Sequence, residues 1–372
     1  MKDIRIEKLA NNLISYSVDL KENENILIEV IGEDGILLAK ELVKKATEVG
    51  AKPFVNIINN DLMRVLLENS TKEQLEIWAK HDLNKMKDMD AYIGITAKNN
   101  TAEFTDIDSG KMKLYNSIYN SKVHFEERCE NTKWCILRYP NNSMAQMSNM
   151  PLDKFEDFFF NVCNLDYSKM SKAMDKLVDI MKRTDKVHIK GKDIDLTFSI
   201  KGMPVYKYVG NNNIPDGEVA TAPIKNSVNG YIKYNTESRQ NGILFNNIYF
   251  EFKDGKIVKA TANNTEEINK LLDTDEGARY IGEFAIGLNP YITKSIGDIL
   301  FDEKIAGSFH FTPGEEVEEN FNGNKSSIHW DIVNIQTPEY GGGEIWFDDI
   351  LVRKDGKFVI DELKALNPEN LI

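Results

Sequence analysis

Apolar positions recur along the chain with two different periods, and the change between them falls near residue 185. Before it, Ile6, Leu9, Leu13 and Ile14 stand at helical spacing and predict an amphipathic helix over 5–18. NILIEVIG (25–32) is an apolar run of strand length, GILLAKELVKKATEVG (35–50) predicts a helix closed by glycine, and KPFVNII (52–58) predicts a second strand, together a βαβ unit. Helical patterning continues through LMRVLLENSTKEQLEIWAKHDLNKM to a third strand in MDAYIGITA (89–97) and a fourth in WCILRYP (134–140), which ends at proline. These alternations predict an N-terminal α/β domain with a mainly parallel sheet and helices on both faces. Two more helices are expected in LDKFEDFFFNVCNLDYSKMSKAMDKLVDIMKRTD, and the boundary is set after them. Beyond it, DIDLTFSI, GYIKYN, ILFNNIYFEF and KIVKATA read as short strands between Gly and Asn turns, with helices expected at EEINKLLD and YITKSIGDILF. The prediction is two domains, 1–185 (α/β) and 186–372 (strand-rich α+β).

Composition agrees with this picture and narrows the partners. A chain of 372 residues exceeds one ordinary core. No apolar run reaches the roughly 18 residues that span a bilayer, and the start lacks the continuous apolar centre of a signal peptide, so a cytoplasmic protein without membrane association is expected. Cys129, Cys135 and Cys163 form no C-x-x-C and are expected as reduced structural thiols. The net charge of -13 repels phosphate backbones and no basic stripe offsets it, which argues against nucleic acid. An acidic surface favours cations, whether metal ions or substrates with a free ammonium group.

Several common mechanisms are missing their motifs: H-E-x-x-H, G-x-S-x-G, a phosphate-binding lysine loop, and G-x-G-x-x-G after a strand. YGGGEIW (340–346) leads into a strand and reads as a tight turn. HFEER (124–128) has the H-x-E spacing of a zinc deaminase without the P-C-x-x-C that would complete it, so His124 is expected to be structural or on the substrate side. His81 and His188 are read as surface or strand positions with no evident partner.

The remaining histidines stand near acidic groups. In SSIHWDIV (326–333), strand alternation puts His329 and Asp331 on one face and Trp330 on the other. This pair fits a metal grip, and equally a hydrogen-bonded pair. In AGSFHFTPG, His310 alternates with Phe309 and Phe311 and so occupies a polar face. Glu218 (NNNIPDGEVATAP) and Glu283 (YIGEFAIGLNP) each follow glycine among apolar residues, where a lone buried carboxylate is costly without a cation or donor. Singly, each of these residues suits an ordinary structural role. Together, two Glu, two His and one Asp form the mixed N/O set that holds two adjacent divalent ions.

NIPDGEVATAP, the glutamate of IGEFAIG, the histidine of AGSFHF and IHWD, in that order, resemble the metal-dependent aminopeptidases of the M29 family. The likeness extends to NTKWCILRYPNNSMAQMSNMPLDKFEDFFF (131–160) and is strongest from about 210 to 350. The resemblance implies an N-terminal α/β domain, a C-terminal domain with a dinuclear centre, and a homodimer acting on peptide or aminoacyl substrates. Carried over by motif, Glu218, Glu283, His310, His329 and Asp331 are the expected ligands of two divalent ions (Zn, Co, Mn or Mg), with Glu283 also expected to move the proton in catalysis. Family members carry a tyrosine seven residues after the histidine matching His310. Here that position is Val317, which cannot donate to an oxyanion, and this admits a metal-binding homologue with altered or lost peptidase activity. A second alternative is a non-haem iron ring-cleaving dioxygenase, which would use His310, His329 and Asp331 as a facial triad. The acidic run Glu315, Glu316, Glu318 and Glu319 is read as a solvated loop.

Overall fold

The computed structural model describes residues 3–315 and 321–372. Two compact units divide the chain: residues 1–164 with 210–214, and residues 165–209 with 215–372. The expected boundary lay at 185/186, and the difference rests on the helix Tyr167–Arg183. Its buried stripe of Met170, Met174, Leu177 and Met181 belongs to the second unit, where Lys207 Nζ reaches Ser171 O at 3.0 Å and Tyr167 Oη accepts from Asp216 N at 3.1 Å. Aromatic and aliphatic periodicity shows that the helix has a face to bury and is silent about which core receives it.

The first unit carries the predicted parallel sheet. Strands β1 (Asn25–Ile31), β2 (Lys52–Ile58), β3 (Ala91–Thr96) and β4 (Lys133–Arg138) lie in the order β2-β1-β3-β4, and the short strand Asn213–Ile214 adds parallel to β4. β1 and β3 are buried almost throughout because helices cover both faces, which is why they read as unbroken apolar runs.

The second unit is built on antiparallel sheets. An eight-stranded sheet contains the predicted strands near Ile194–Ser199, Asn229–Lys233, Tyr249–Lys253 and Lys256–Thr261. A five-stranded sheet runs Val333–Ile335, Ser308–Pro313, Ile281–Gly287, Glu218–Thr221, Val205–Tyr208. One of its faces is packed with Phe284, Phe309 and Phe311, and Phe198 of the larger sheet sits 5.1 Å from both Phe284 and Phe311. The polar residues of the same strands therefore emerge on the opposite face.

Three local expectations are corrected. YITKSIGDILF forms only a short helix, Ile299–Asp302, because Gly297 takes φ +82° and the buried Asp302 carboxylate gathers Ser295 Oγ, Ile296 N and Gly297 N into a loop. Residues 326–332 are not a regular strand. They run extended along Phe311–Glu315, joined by Phe311 N to Ile332 O, Trp330 N to Pro313 O and Glu315 N to Ile328 O. His188 does have a partner, since its Nε2 lies 2.6 Å from Asp195 Oδ1 across adjacent strands. No described helix is long and apolar enough to cross a membrane.

Candidate metal centre

The five-stranded sheet assembles the cluster by register. Ala285 lies opposite His310, and Gly287 lies opposite Glu218. The small partners leave space into which the imidazole and the carboxylate project. At Gly287 a Cβ would stand 2.5 Å from Ile305 O and 2.7 Å from Ser308 Oγ, so no larger residue fits. Glu283 stands two residues before Ala285 and opposite Thr312, so strand alternation brings it onto the same polar face. Gly314, at φ +106°, lets Ile328 O approach to where a Cβ would be 2.0 Å away. That contact seats the segment carrying His329 and Asp331 against the sheet.

All five predicted donors converge. His310 Nε2 lies 3.2 Å from Glu283 Oε1 and 3.5 Å from Glu218 Oε2. His329 Nε2 lies 3.1 Å from Asp331 Oδ1 and 3.7 Å from Glu283 Oε2. The donors form two groups that could each hold a cation, Glu218–Glu283–His310 and Glu283–His329–Asp331, with donor atoms in each within 4.8 Å of one another. Glu283 belongs to both and turns one oxygen toward each imidazole. His329 and Asp331 stand together although the ladder around them is irregular; Trp330 points the other way, packs 5.3 Å from Phe245 and donates Nε1–H to Ser238 Oγ at 2.8 Å.

Hydrogen bonds orient these groups. His329 Nδ1–H donates to Glu315 O at 2.7 Å, which leaves the Nε2 lone pair for the cluster. Thr312 Oγ1–H donates to Asp331 Oδ1 at 2.7 Å. Glu218, Glu283 and His310 are almost fully buried, and Glu218 Oε2 and His310 Nδ1 have no hydrogen-bond partner among the described residues. Burial drives the Glu218 carboxyl up to about 8 despite the pull of Lys304 and His310. Burial alone would depress His310, yet Glu218 and Glu283 raise it to about 9. Burial also opposes ionisation of Glu283 and Asp331, and the neighbouring imidazoles outweigh it, holding both below the usual carboxylate range.

Three residues that the sequence reading passed over complete the surroundings. Lys304 is buried to 1% exposure; its Nζ contacts Glu218 Oε1 and lies 2.7 Å from Glu303 Oε1 and 3.5 Å from Asp216 Oδ1. The signal was present in ILFDEKIAG, where a lysine follows Ile299–Phe301 and precedes Ile305 and Ala306, and in Asp216 two residues before Glu218. Five carboxylates (Asp216, Glu218, Glu283, Glu303, Asp331) thus gather around one lysine, which reaches Asp216, Glu218 and Glu303, while Glu283 and Asp331 stand beside the imidazoles. That excess of buried negative charge, together with an orphaned carboxylate oxygen, is chemically matched to divalent cations. Val317, Glu316, Glu318 and Glu319 lie outside the described residues, and Glu315 serves through its carbonyl.

Buried carboxylates and imidazoles on the polar face of an antiparallel sheet define a candidate centre for divalent cations. The sequence model of the thermophilic metalloprotease (M29) family matches residues 2–358, and the chain belongs to that family. It is 22% identical to aminopeptidase 2 of Geobacillus stearothermophilus over 320 residues, 76% of each chain. It is 34% identical to aminopeptidase T of Thermus aquaticus over 159 residues, 39% of this chain and 38% of that one. AmpT from Thermus thermophilus has the same fold, with TM-score 0.79 at 21% identity over 96% of this chain and 99% of that one. A 2,5-dihydroxypyridine dioxygenase from Pseudomonas putida KT2440 shares the fold more distantly, with TM-score 0.63 at 13% identity over 96% and 98%.

Proposed function

We propose that this hydrolase is an aminopeptidase that removes the N-terminal residue of peptides with two divalent ions held by Glu218, Glu283, His310, His329 and Asp331. The observation that carries this reading is that Glu283 belongs to both donor groups, one oxygen turned to His310 and the other to His329. A single facial triad for iron would need neither Glu218 nor a shared carboxylate, so the two-ion hydrolase is favoured over the dioxygenase chemistry of the more distant neighbour.

When bound, such ions would supply Lewis acidity at the scissile carbonyl and would lower the pKa of a bound water. The chain's own residues do the rest. Lys304 and Thr312 hold Glu218 and Asp331 in fixed orientations. Glu283, or an unliganded carboxylate beside it, is assigned to move a proton to the leaving amine. Glu303, kept above the usual carboxylate range chiefly by burial, is a second carboxylate suited to holding one. Surplus negative charge favours a substrate entering with its α-ammonium group.

The N/O donor set suits Zn, Co, Mn or Mg. Three cysteines with no disulfide among the described residues, Cys135 and Cys163 buried, fit a cytoplasmic protein. A homodimer is supported by the sheet edge at β2, where Phe54, Val55 and Ile57 are exposed.

The test joins metal analysis to turnover. Purified protein is expected to hold two divalent ions per chain and to cleave aminoacyl-p-nitroanilides, with loss on chelation and recovery on adding cobalt or zinc. Glu283→Gln should lose both ions, whereas Asp331→Asn should lose one. One ion per chain, or E283Q retaining two, would overturn the assignment.

A further inference from the structure

The first unit contains a cavity of about 330 Å³ between one face of the parallel sheet and its covering helices. Its floor is laid by alternate residues of neighbouring strands: Glu29 and Ile31 of β1, Tyr92, Gly94 and Thr96 of β3. These strands meet at the centre of the order β2-β1-β3-β4, where the connections turn in opposite directions, the place where open α/β sheets receive ligands. Its wall is the wide-turn helix Asn116–Cys129, and helices of i to i+5 bonding are rare and concentrate at functional sites.

Two features of the lining point to a ligand. Arg128 is 8% exposed and lies over the Tyr92 and Trp134 rings at 5.2 and 4.6 Å; among the described residues it has no carboxylate partner, and its Nε and Nη1 donate to nothing. Glu29, the nearby carboxylate of the floor, already accepts from Tyr92 Oη at 3.0 Å and Asn56 Nδ2 at 2.9 Å. A buried guanidinium without an anion is costly, and here it borders open volume. Asn60, 5% exposed, likewise lines the cavity with neither amide atom bonded among the described residues. Between them the surfaces are flat and aromatic: Trp78 packs 4.5 Å from Tyr119, and Tyr115 stacks on Tyr119 at 5.2 Å.

We propose that this cavity is a binding site for a small aromatic carboxylate, its ring held between the tyrosine and tryptophan side chains and its anionic group neutralising Arg128. A guanidinium fork pairs with a carboxylate through two parallel hydrogen bonds. The volume suits a one- or two-ring molecule. Two sources share this chemistry, free aromatic amino acids and aryl acids without an amino group.

Calorimetry and thermal melts on the full chain distinguish them, using phenylalanine and tryptophan in one arm and benzoate and indole-3-acetate in the other, with phenylalaninamide as the carboxylate-free control. At least one arm should bind and raise the melting midpoint while the amide does not, and the arm that binds names the source. Arg128→Gln should weaken that binding at least tenfold while leaving the ligand-free midpoint equal or higher, because it removes an unpaired buried charge. Asn120→Trp, which fills the cavity from its half-buried rim, should abolish binding and serves if R128Q does not fold. Absence of binding in both arms, equal binding of the amide, or binding that survives N120W would overturn the proposal, as would R128Q that binds unchanged.

Discussion

Replacing Lys304 by methionine tests the electrostatic account of the metal centre most directly. Methionine keeps the length and apolar stem of the lysine and deletes only the ammonium, so packing changes little and charge changes by one. Three carboxylates, Asp216, Glu218 and Glu303, then share a buried space without their ammonium, and only the His310 imidazole stands beside Glu218. Removing one member of a buried ion pair costs about 3–5 kcal/mol because its partner is left uncompensated. At roughly 2–4 °C per kcal/mol for a unit of this size, the metal-free midpoint should fall by roughly 6–20 °C. Thermal melts in chelator, followed by circular dichroism, measure this. The sign should then reverse on adding divalent cation, since a site one positive charge poorer gains more from the ion: manganese or zinc should stabilise K304M by more degrees than wild type. Adding Glu303→Gln to K304M should recover part of the loss by deleting one of the stranded charges. If K304M melts within about 2 °C of wild type in chelator, or gains no more from metal than wild type does, Lys304 is not compensating those carboxylates and the charge argument fails.

Two further substitutions probe how the irregular segment 326–332 is held. Asp275 accepts from Ser326 Oγ, Ser327 N and Ser327 Oγ at 2.9, 2.7 and 2.8 Å as well as from Ala278 N, and these bonds outweigh burial to hold its carboxyl down to about 2. Asp275→Ala should lower metal affinity several-fold at pH 7, read by competition with a chelating dye; equal affinity would refute the anchoring role. Because the folded pKa is below the unfolded value of 3.8, the stabilisation is present above about pH 4 and is lost as pH falls towards 2, so the gap between the wild-type and D275A melts should close over that window. Trp330→Ala empties the buried site beside Phe245, on the face opposite His329 and Asp331, and should cost about 3–5 kcal/mol in urea unfolding; a loss below about 1 kcal/mol would show that the segment is not seated by its indole.

What could be read before folding, and what could not, divides along physical lines. Periodicity reports which face of an element is buried, so β1 to β4 and the strand parity that joins His329 to Asp331 were legible. It does not report which of two cores receives that face, and the helix Tyr167–Arg183 belongs to the second unit for reasons of packing that its own residues do not express. Apolar spacing likewise suggested a helix over YITKSIGDILF, where Ile292 and Ile296 are indeed buried, but the buried Asp302 carboxylate collects the backbone N–H groups that a helix would have used. The five donors were legible because side chains costly to bury stood in apolar runs. Lys304 obeys the same logic, since a lysine among isoleucines and phenylalanine is as anomalous as a glutamate there. A cation is not a metal ligand, so a pattern of ligand types does not include it. The same rule applied to both signs of charge would have identified the compensating ammonium along with the carboxylates, and applied to Arg128 it singles out the one buried guanidinium in the first unit whose anion the described residues do not supply. Buried charge of either sign is a statement about what must stand beside it, and in this chain it marks both the cluster that suits cations and the cavity that suits an anion.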